Sequence, residues 1–333
     1  MRVNGWKGMM KNHRRILIAL VAGALATPLF SVAQSFPTKP LRLIVRAPPG
    51  GTDDLIARLI APAISKTIGQ QVIVDYRTGA GGLVAWEYVA KQPPDGYTLM
   101  LAASGLAAMK SMRPDVQIDP FRDYGWVSQV TSFMLVLVVH PSLPTRTVKE
   151  LIEFARGRPG QLSYGTSGVG ATPHLAGEYF KAMAKVQINH VPYKGAGPMY
   201  LDLVGGRIEM GSAVLGSALP LIRDGRIRAL GVSGAQRSPQ LPDVPTIAEA
   251  ALPGFAFEPF YAIVVPARTP REIMGALADA IARSMSPPEF REQFVRIVGS
   301  EAVFNTPEQM LQVAKKEGEL IGNIVRTANI KAE

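Results

Sequence analysis

The chain has 333 residues, 47% of them hydrophobic, no cysteine and a formal net charge of +10. The missing thiols exclude disulfides, a thiolate nucleophile and any cysteine metal site, so ordinary apolar cores have to supply the stability. Five of the basic residues fall in the first fifteen positions, and setting them aside leaves +5, scattered among Asp and Glu. That is a mild field suited to small anions, without the clustered charge and interleaved aromatics of a nucleic-acid binder.

Residues 1–15 carry Arg2, Lys7, Lys11, Arg14 and Arg15 without an acid, Ile16 to Phe30 is an apolar stretch, and Ser31-Val32-Ala33 offers small residues for cleavage. Fifteen apolar residues fall short of the roughly 20 that a spanning helix needs. Residues 1–33 therefore read as a secretory signal peptide, with cleavage near Ala33/Gln34 and a mature chain in the periplasm. A lipid anchor would require a Cys after the signal, so the expectation is a protein that is not lipid-anchored. The roughly 300 residues that follow suffice for two α/β domains.

Next comes Leu-Arg-Leu-Ile-Val over 41–45, the Gly-rich loop Pro48-Pro49-Gly50-Gly51-Thr52-Asp53, and a helical pattern restarting at Leu55. A strand, a tight loop and a helix in that order bring backbone N–H groups and the positive end of a helix dipole to one point. The alternation continues with Val72 to Val74 before Leu83 to Ala90, and Tyr97 to Ala103 before a short irregular segment. Further on, Leu162 to Tyr164 precedes His174 to Ala184, and Ile188 to Val191 precedes Met199 to Val204. Ala229 to Val232 runs into the Pro-rich turn Ser238 to Pro245. This rhythm is that of βαβ units. Two long apolar runs, Phe133 to Val139 and Tyr261 to Val265, read as buried strands that cross between two lobes. The last third predicts helices over 270–285, 287–298 and 306–327, the last opened by Thr306 as N-cap, Pro307 and Gln309.

Two lobes joined by two strands leave a cleft, and ligands of open α/β sheets bind beyond the carboxyl ends of strands. Besides the loop at 48–53, the loops expected there are Arg77 to Gly82, Ala103-Ser104-Gly105, Gly165 to Pro173 and Pro192 to Pro198. Pro173 as first helical residue fixes a helix start at Thr172, whose hydroxyl either caps the helix or reaches a ligand.

Several of these blocks carry a resemblance. Pro-Pro-Gly-Gly-Thr-Asp-Asp over 48–54 with Ala57-Arg58, Gly79 to Gly82, Pro94 to Leu99, His190 to Gly195, Arg237-Ser238-Pro239 and Leu241 to Thr246 resemble the Bug family, from about Pro37 to Ile330. These are periplasmic solute-binding proteins of tripartite tricarboxylate transporters. The resemblance implies an α/β, two-lobed periplasmic binding protein of the Venus flytrap, type II-like class with two crossover strands. Its partners would be a small organic carboxylate, held largely by loop backbone groups and water, and integral-membrane transporter subunits. The expected domains are 34–135 plus 262–333, and 136–261, in a monomer without cofactor or metal.

The chain departs from the family pattern where specificity is set. Arg46-Ala47-Pro48-Pro49-Gly50-Gly51-Thr52-Asp53-Asp54 puts Ala47 in place of an aromatic and Thr52 in place of a glycine. Met210 to Leu215 lacks the polar pair common there, and Phe260-Tyr261 offers rings that either stack on a ligand or pack in a core. The expected ligand is a bulkier mono- or dicarboxylate, with aromatic acids such as terephthalate included. Candidate binding residues are Arg46, Ala47, Pro49, Gly50, Gly51, Asp53, Ser104, Thr166, Ser167, Gly168, Ala171, Thr172, Tyr193, Ala213 and Phe260. Arg46 either clamps a second carboxylate or pairs with Asp53 or Asp54, and Arg113 and Lys194 are secondary candidates. A ligand-presenting partner of a membrane sensor kinase fits the same sequence. An exported hydrolase fits poorly: His140, His174 and His190 lack metal-ligand spacing, and Gly165-Thr166-Ser167-Gly168-Val169 lacks the second glycine of a nucleophile elbow.

Overall fold

Strand β1, Leu41–Val45, buries every side chain except that of Arg42, as a strand covered on both faces must. It opens the computed structural model of the chain, which describes residues 36–327; the signal peptide and its cleavage point lie outside the described residues. After β1 come helix α1, Thr52–Ile68, strand β2, Val72–Tyr76, helix α2, Leu83–Ala90, strand β3, Thr98–Ala103, the short helix α3, Met109–Met112, and strand β4, Tyr124–Ser132. With β10, Phe260–Pro266, these strands build a sheet in the order β2-β1-β3-β10-β4. In it β1, β2 and β3 are parallel, and β10 runs antiparallel to both β3 and β4.

The second sheet comes from the residues between. Strand β5, Leu135–Val139, leads to helix α4, Val148–Arg156, strand β6, Ser163–Thr166, and helix α5, Thr172–Ala184. Strand β7, Asn189–Pro192, helix α6, Ala196–Val204, strand β8, Met210–Val214, helix α7, Leu215–Arg223, strand β9, Arg228–Val232, and the one-turn helix α8, Ile247–Ala250, follow. The order is β7-β6-β8-β5-β9, with β7, β6 and β8 parallel and β5 antiparallel to β8 and β9. Each sheet has its own core: Trp126 and Phe260 lie in one, Tyr164, Phe180 and Phe255 in the other.

The strand registers fix how the sheets are joined. Strand β4 leaves the first sheet beside Phe260 at the edge where β1 and β3 also end, and β5 enters the second sheet opposite Val214, where β8 ends. The return path from Val232 arrives by Phe257–Pro259 at that first edge. The two connectors are bonded side by side: Phe133 N–H donates to the Pro259 carbonyl at 2.9 Å. Ser233 Oγ accepts from Leu135 N at 2.9 Å and donates to the Phe257 carbonyl at 2.6 Å. Both crossings thus link the carboxyl edge of one parallel set to the carboxyl edge of the other. Of the apolar runs expected to cross between lobes, Phe133 to Val139 begins in the crossing and continues as β5, whereas Tyr261 to Val265 lies wholly within β10 and its crossing is the short segment before it. Residues 133–134 and 257–259 bond to each other at this junction.

Helices α9, Arg271–Met285, α10, Pro288–Val298, and α11, Pro307–Thr327, complete the chain. Thr306 caps α11 as expected, accepting from Gln309 N at 3.3 Å while Gln309 Oε1 accepts from Thr306 N at 3.0 Å. Met310 and Ala314 of α11 are buried in the first core and Ile321, Ile324 and Val325 in the second. One helix therefore braces both sheets. Two strands escaped the sequence reading: β4, whose Ser, Gln and Thr residues break its apolar pattern, and β8, singled out there only for lacking a polar pair.

Candidate functional site

The carboxyl ends of β1 and β3 carry Arg46, Ala47, Pro49, Gly50, Gly51, Asp53 and Ser104 on one rim. Gly50 takes a left-handed φ of 96°, open to glycine at no steric cost, and the chain then enters α1 with Gly51 as N-cap. No side chain caps this helix at Gly51. The first turn instead holds two carboxylates of its own, Asp53 and Asp54, which are 5% and 4% exposed. Asp54 Oδ2 accepts from Gly50 N at 2.8 Å, and Oδ1 accepts from Arg58 Nε at 2.7 Å and from the Tyr76 hydroxyl. The Tyr76 hydroxyl, then the Gly50 amide, hold the Asp54 carboxyl below the ordinary range. This side chain ties the loop to its helix and to β2.

Asp53 faces the other way. Its Oδ1 accepts from the Tyr261 hydroxyl at 2.9 Å, and its Oδ2 lies 3.1 Å from Arg46 Nε. The Arg46 and Asp53 atoms form an ion pair by distance yet lack the alignment of a hydrogen bond, and both are buried without another partner. Burial, then the Asp53 charge, raise the Tyr261 hydroxyl well above its usual pKa. The pairing of Arg46 with Asp53, one of the roles expected for it from the sequence, is present, and it leaves a quarter of the arginine side chain accessible.

The second rim, at the ends of β6 and β7, carries Thr166, Ser167, Gly168, Ala171, Thr172 and Tyr193. Thr166 is fully buried, with Oγ1 2.7 Å from His190 Nε2. Gly170 N donates to His174 Nδ1 at 3.0 Å, and the two imidazoles stack with centroids 4.0 Å apart at 16°. Because Nδ1 of His174 accepts, that ring is unprotonated there. Burial lowers the pKa of both, and burial followed by the His174 ring takes His190 to about 4. Beneath them Glu178 accepts from Tyr164 at 2.5 Å and from Lys181 at 2.7 Å. Gly195 N donates to the Ser167 carbonyl at 3.2 Å, joining the two loops of this rim, and Tyr193 donates to Asp202 at 2.9 Å.

Several expectations change. Phe260 is fully buried against Trp126, 6.0 Å between centroids at 78°, and Ala213 is buried in a further apolar cluster with Val136, Val138 and Met199, so neither offers its side chain to the rims. Alternation along β10 turns the next residue, Tyr261, to the rim instead. The Thr166 hydroxyl is engaged by His190, whereas Ser167 is half-buried. Helix α5 begins one residue earlier than expected: Ala171 is its N-cap and Thr172 is its first residue, so the Thr172 hydroxyl caps nothing. Arg113 pairs with Asp115 at 3.5 Å, and Lys194 is exposed. The residues to which sequence reasoning gives no place in the site are those behind the loops, Tyr76, His174, His190 and Glu178, while Asp54 is expected only as a partner of Arg46. Only the i,i+4 spacing of His174 and Glu178 was visible as a signal. Among the described residues no group of three His, Asp or Glu is placed to hold a metal ion.

The model of the tripartite tricarboxylate transporter family receptor matches residues 56–330. A protein of the tcbD-tcbE intergenic region of Pseudomonas sp. (strain P51) is 38% identical over 92% of each chain. Protein BugT of Bordetella pertussis is 33% identical over 94% of this chain and 96% of its own. Among solved structures, an R. palustris protein with adipate is 37% identical and superposes with a TM-score of 0.75, covering 89% of this chain and 99% of its own.

Proposed function

The chain belongs to the tripartite tricarboxylate transporter receptor family, and from that premise we propose that it works in the periplasm, captures an organic carboxylate between its two rims and presents it to integral-membrane transporter subunits. The observation that carries this reading is the junction at Phe133 and Pro259, where both crossings join carboxyl edge to carboxyl edge. A ligand held there touches loops of both sheets. We assign the lobes as 39–132 plus 260–327, and 135–256, which moves the expected boundaries at 135/136 and 261/262 to the crossings at 133–134 and 257–259.

One carboxylate would lie against backbone N–H groups of residues 51–53, where α1 begins without a side-chain cap and presents its positive end. From the second rim it would meet the Ser167 hydroxyl and the start of α5. Bonds to a charged group contribute about 1.5–3 kcal/mol each net, so a handful supports roughly micromolar affinity after ordering costs. Contacts to both rims favour the closed form, and the membrane partner reads closure. The adipate bound by the R. palustris relative supports a dicarboxylate of similar or larger size. The chain acts as a monomer and leaves its ligand chemically intact.

The test is a thermal-shift and calorimetric screen of the chain from Gln34 against aliphatic and aromatic mono-, di- and tricarboxylates. A ligand at 100 times its dissociation constant adds about 2.7 kcal/mol of stability, so a true ligand gives a clear upward shift. Failure of every acid to shift the ligand-free protein, or recovery of an acid chemically altered, would overturn the reading.

A further inference from the structure

The first rim holds more unpaired polarity than anchoring one carboxylate on backbone groups requires. Asp53 is more than nine-tenths buried, yet its Oδ2 has no hydrogen-bond partner, and neither has Arg46 Nε beside it. The Trp86 indole Nε1 is likewise buried and unpaired. Buried polar atoms are almost always hydrogen bonded, so an unpartnered indole N–H beside an ion pair that lacks hydrogen-bond alignment marks a place that a further polar group completes. The Arg46 stem and the Trp86 ring abut the same glycine: a Cβ placed on Gly82 would lie 3.0 Å from Arg46 Cδ and 3.4 Å from Trp86 Cε2, the carbon bonded to Nε1. Gly82 holds a φ of 106°, so the close approach of guanidinium stem and indole there depends on glycine.

Charge says what kind of group fits. Asp54 is matched by Arg58, and Asp53 is the single carboxylate that Arg46 meets among the described residues. Asp53 approaches the guanidinium from the Nε side, while a guanidinium fork can serve one carboxylate side-on and another end-on. A quarter of the Arg46 side chain remains accessible although Nε itself is buried. Asp53, in turn fixed by the Tyr261 hydroxyl at 2.9 Å, thus orients an arginine whose far end is open.

We propose that Arg46, assisted by the Trp86 indole N–H, receives a second carboxylate of the ligand and makes this receptor selective for dicarboxylic over monocarboxylic acids of the same skeleton. This rests on the receptor reading above, and the experiment separates the two. Calorimetry compares terephthalate with 4-carbamoylbenzoate, and adipate with its monoamide, on the wild-type chain and on Arg46→Gln, Arg46→Lys and the double variant Arg46→Gln, Asp53→Asn. The wild type binds each diacid about tenfold or more tighter than its monoamide, the scale of one charge-assisted bond. Arg46→Gln lowers diacid affinity about tenfold more than monoamide affinity, and Arg46→Lys falls between, because an ammonium lacks the bidentate fork. The double variant loses the preference to the same degree, which rules out repulsion by an orphaned Asp53. An unchanged diacid preference in Arg46→Gln, or its return in the double variant, overturns the role of Arg46 and leaves the receptor reading intact. Failure of all four acids to bind the wild type overturns the role of Arg46, while the receptor reading falls only if the wider acid screen fails as well.

Discussion

At the rim of the first sheet, the loop entering α1 is held by charge: Asp54 gathers Gly50, Arg58 and Tyr76, and Asp53 gathers Tyr261 and Arg46. At the rim of the second, the loop entering α5 is held by uncharged groups, with Thr166 on His190 and the Gly170 amide on His174. Both loops read alike in sequence, as Gly with Pro, Ser or Thr between a strand and a helix. The difference teaches that loop composition sets the backbone path alone. Each path is braced by a partner four residues on, Asp54 for Gly50 and His174 for Gly170, and completed by a residue far along the chain, Tyr261 for one rim and His190 for the other. A charged brace tolerates a cation at its edge, and an uncharged one leaves the second rim free to offer hydroxyl and N–H groups.

The largest effect expected is from packing at the uncharged rim. Gly177 lies on α5 under Tyr164, and a Cβ there would fall 2.3 Å from Tyr164 Cε2. The Tyr164 ring in turn packs on His190, 4.9 Å between centroids. Gly177→Ala should therefore push the tyrosine into the histidine pair and cost about 2–3 kcal/mol, the scale of overpacking, despite the better helix propensity of alanine. Urea unfolding midpoints measure it; a stabilised variant would mean that Tyr164 yields freely and is no brace. At the charged rim, Tyr261→Phe removes one hydrogen bond to a buried carboxylate and should cost about 1–3 kcal/mol. The same unfolding measurement checks this, and a neutral substitution would show that Arg46 alone suffices for Asp53.

Much of this was legible in the sequence. The β1 loop, the Thr306 cap and the parallel strands ending in Gly-rich turns are local patterns, set by neighbours within a few positions. What escaped were matters of partner and facing. Phe260 and Tyr261 are adjacent on one strand, and only the registry of β10 against β3 and β4 decides that the phenylalanine enters the core while the tyrosine reaches Asp53. Strand β4 was hidden because its Ser128, Gln129 and Thr131 find partners in Asn305, Ser300 and Glu301, a segment some 170 residues away in sequence. No local window contains both halves of such a pairing.

Acid should separate the two rims, with the smallest effect and the sharpest contrast. An unfolded histidine titrates near about 6.5, whereas burial and the neighbouring His174 hold His190 at about 4 in the fold. Between those values the unfolded chain binds more protons, so the histidine contribution is fully present above about pH 6.5 and is lost as the pH falls toward about 4. Partial exposure of His190 discounts the loss to on the order of 1–2 kcal/mol. Protonated His174 can no longer accept from the Gly170 amide, and nearby Lys181 opposes the new charge while Glu178 favours it. Asp54 works on a lower window: its depressed pKa keeps the first loop intact until the pH falls below the ordinary carboxylate range of about 4. Hydrogen exchange at pH 7 and pH 5, corrected for intrinsic rates, should show the 165–174 segment losing protection while 46–54 keeps it. Equal loss in both segments would mean that the loops open as one unit. The stacked histidines would then brace the junction between the sheets, and the second loop would have no switch of its own.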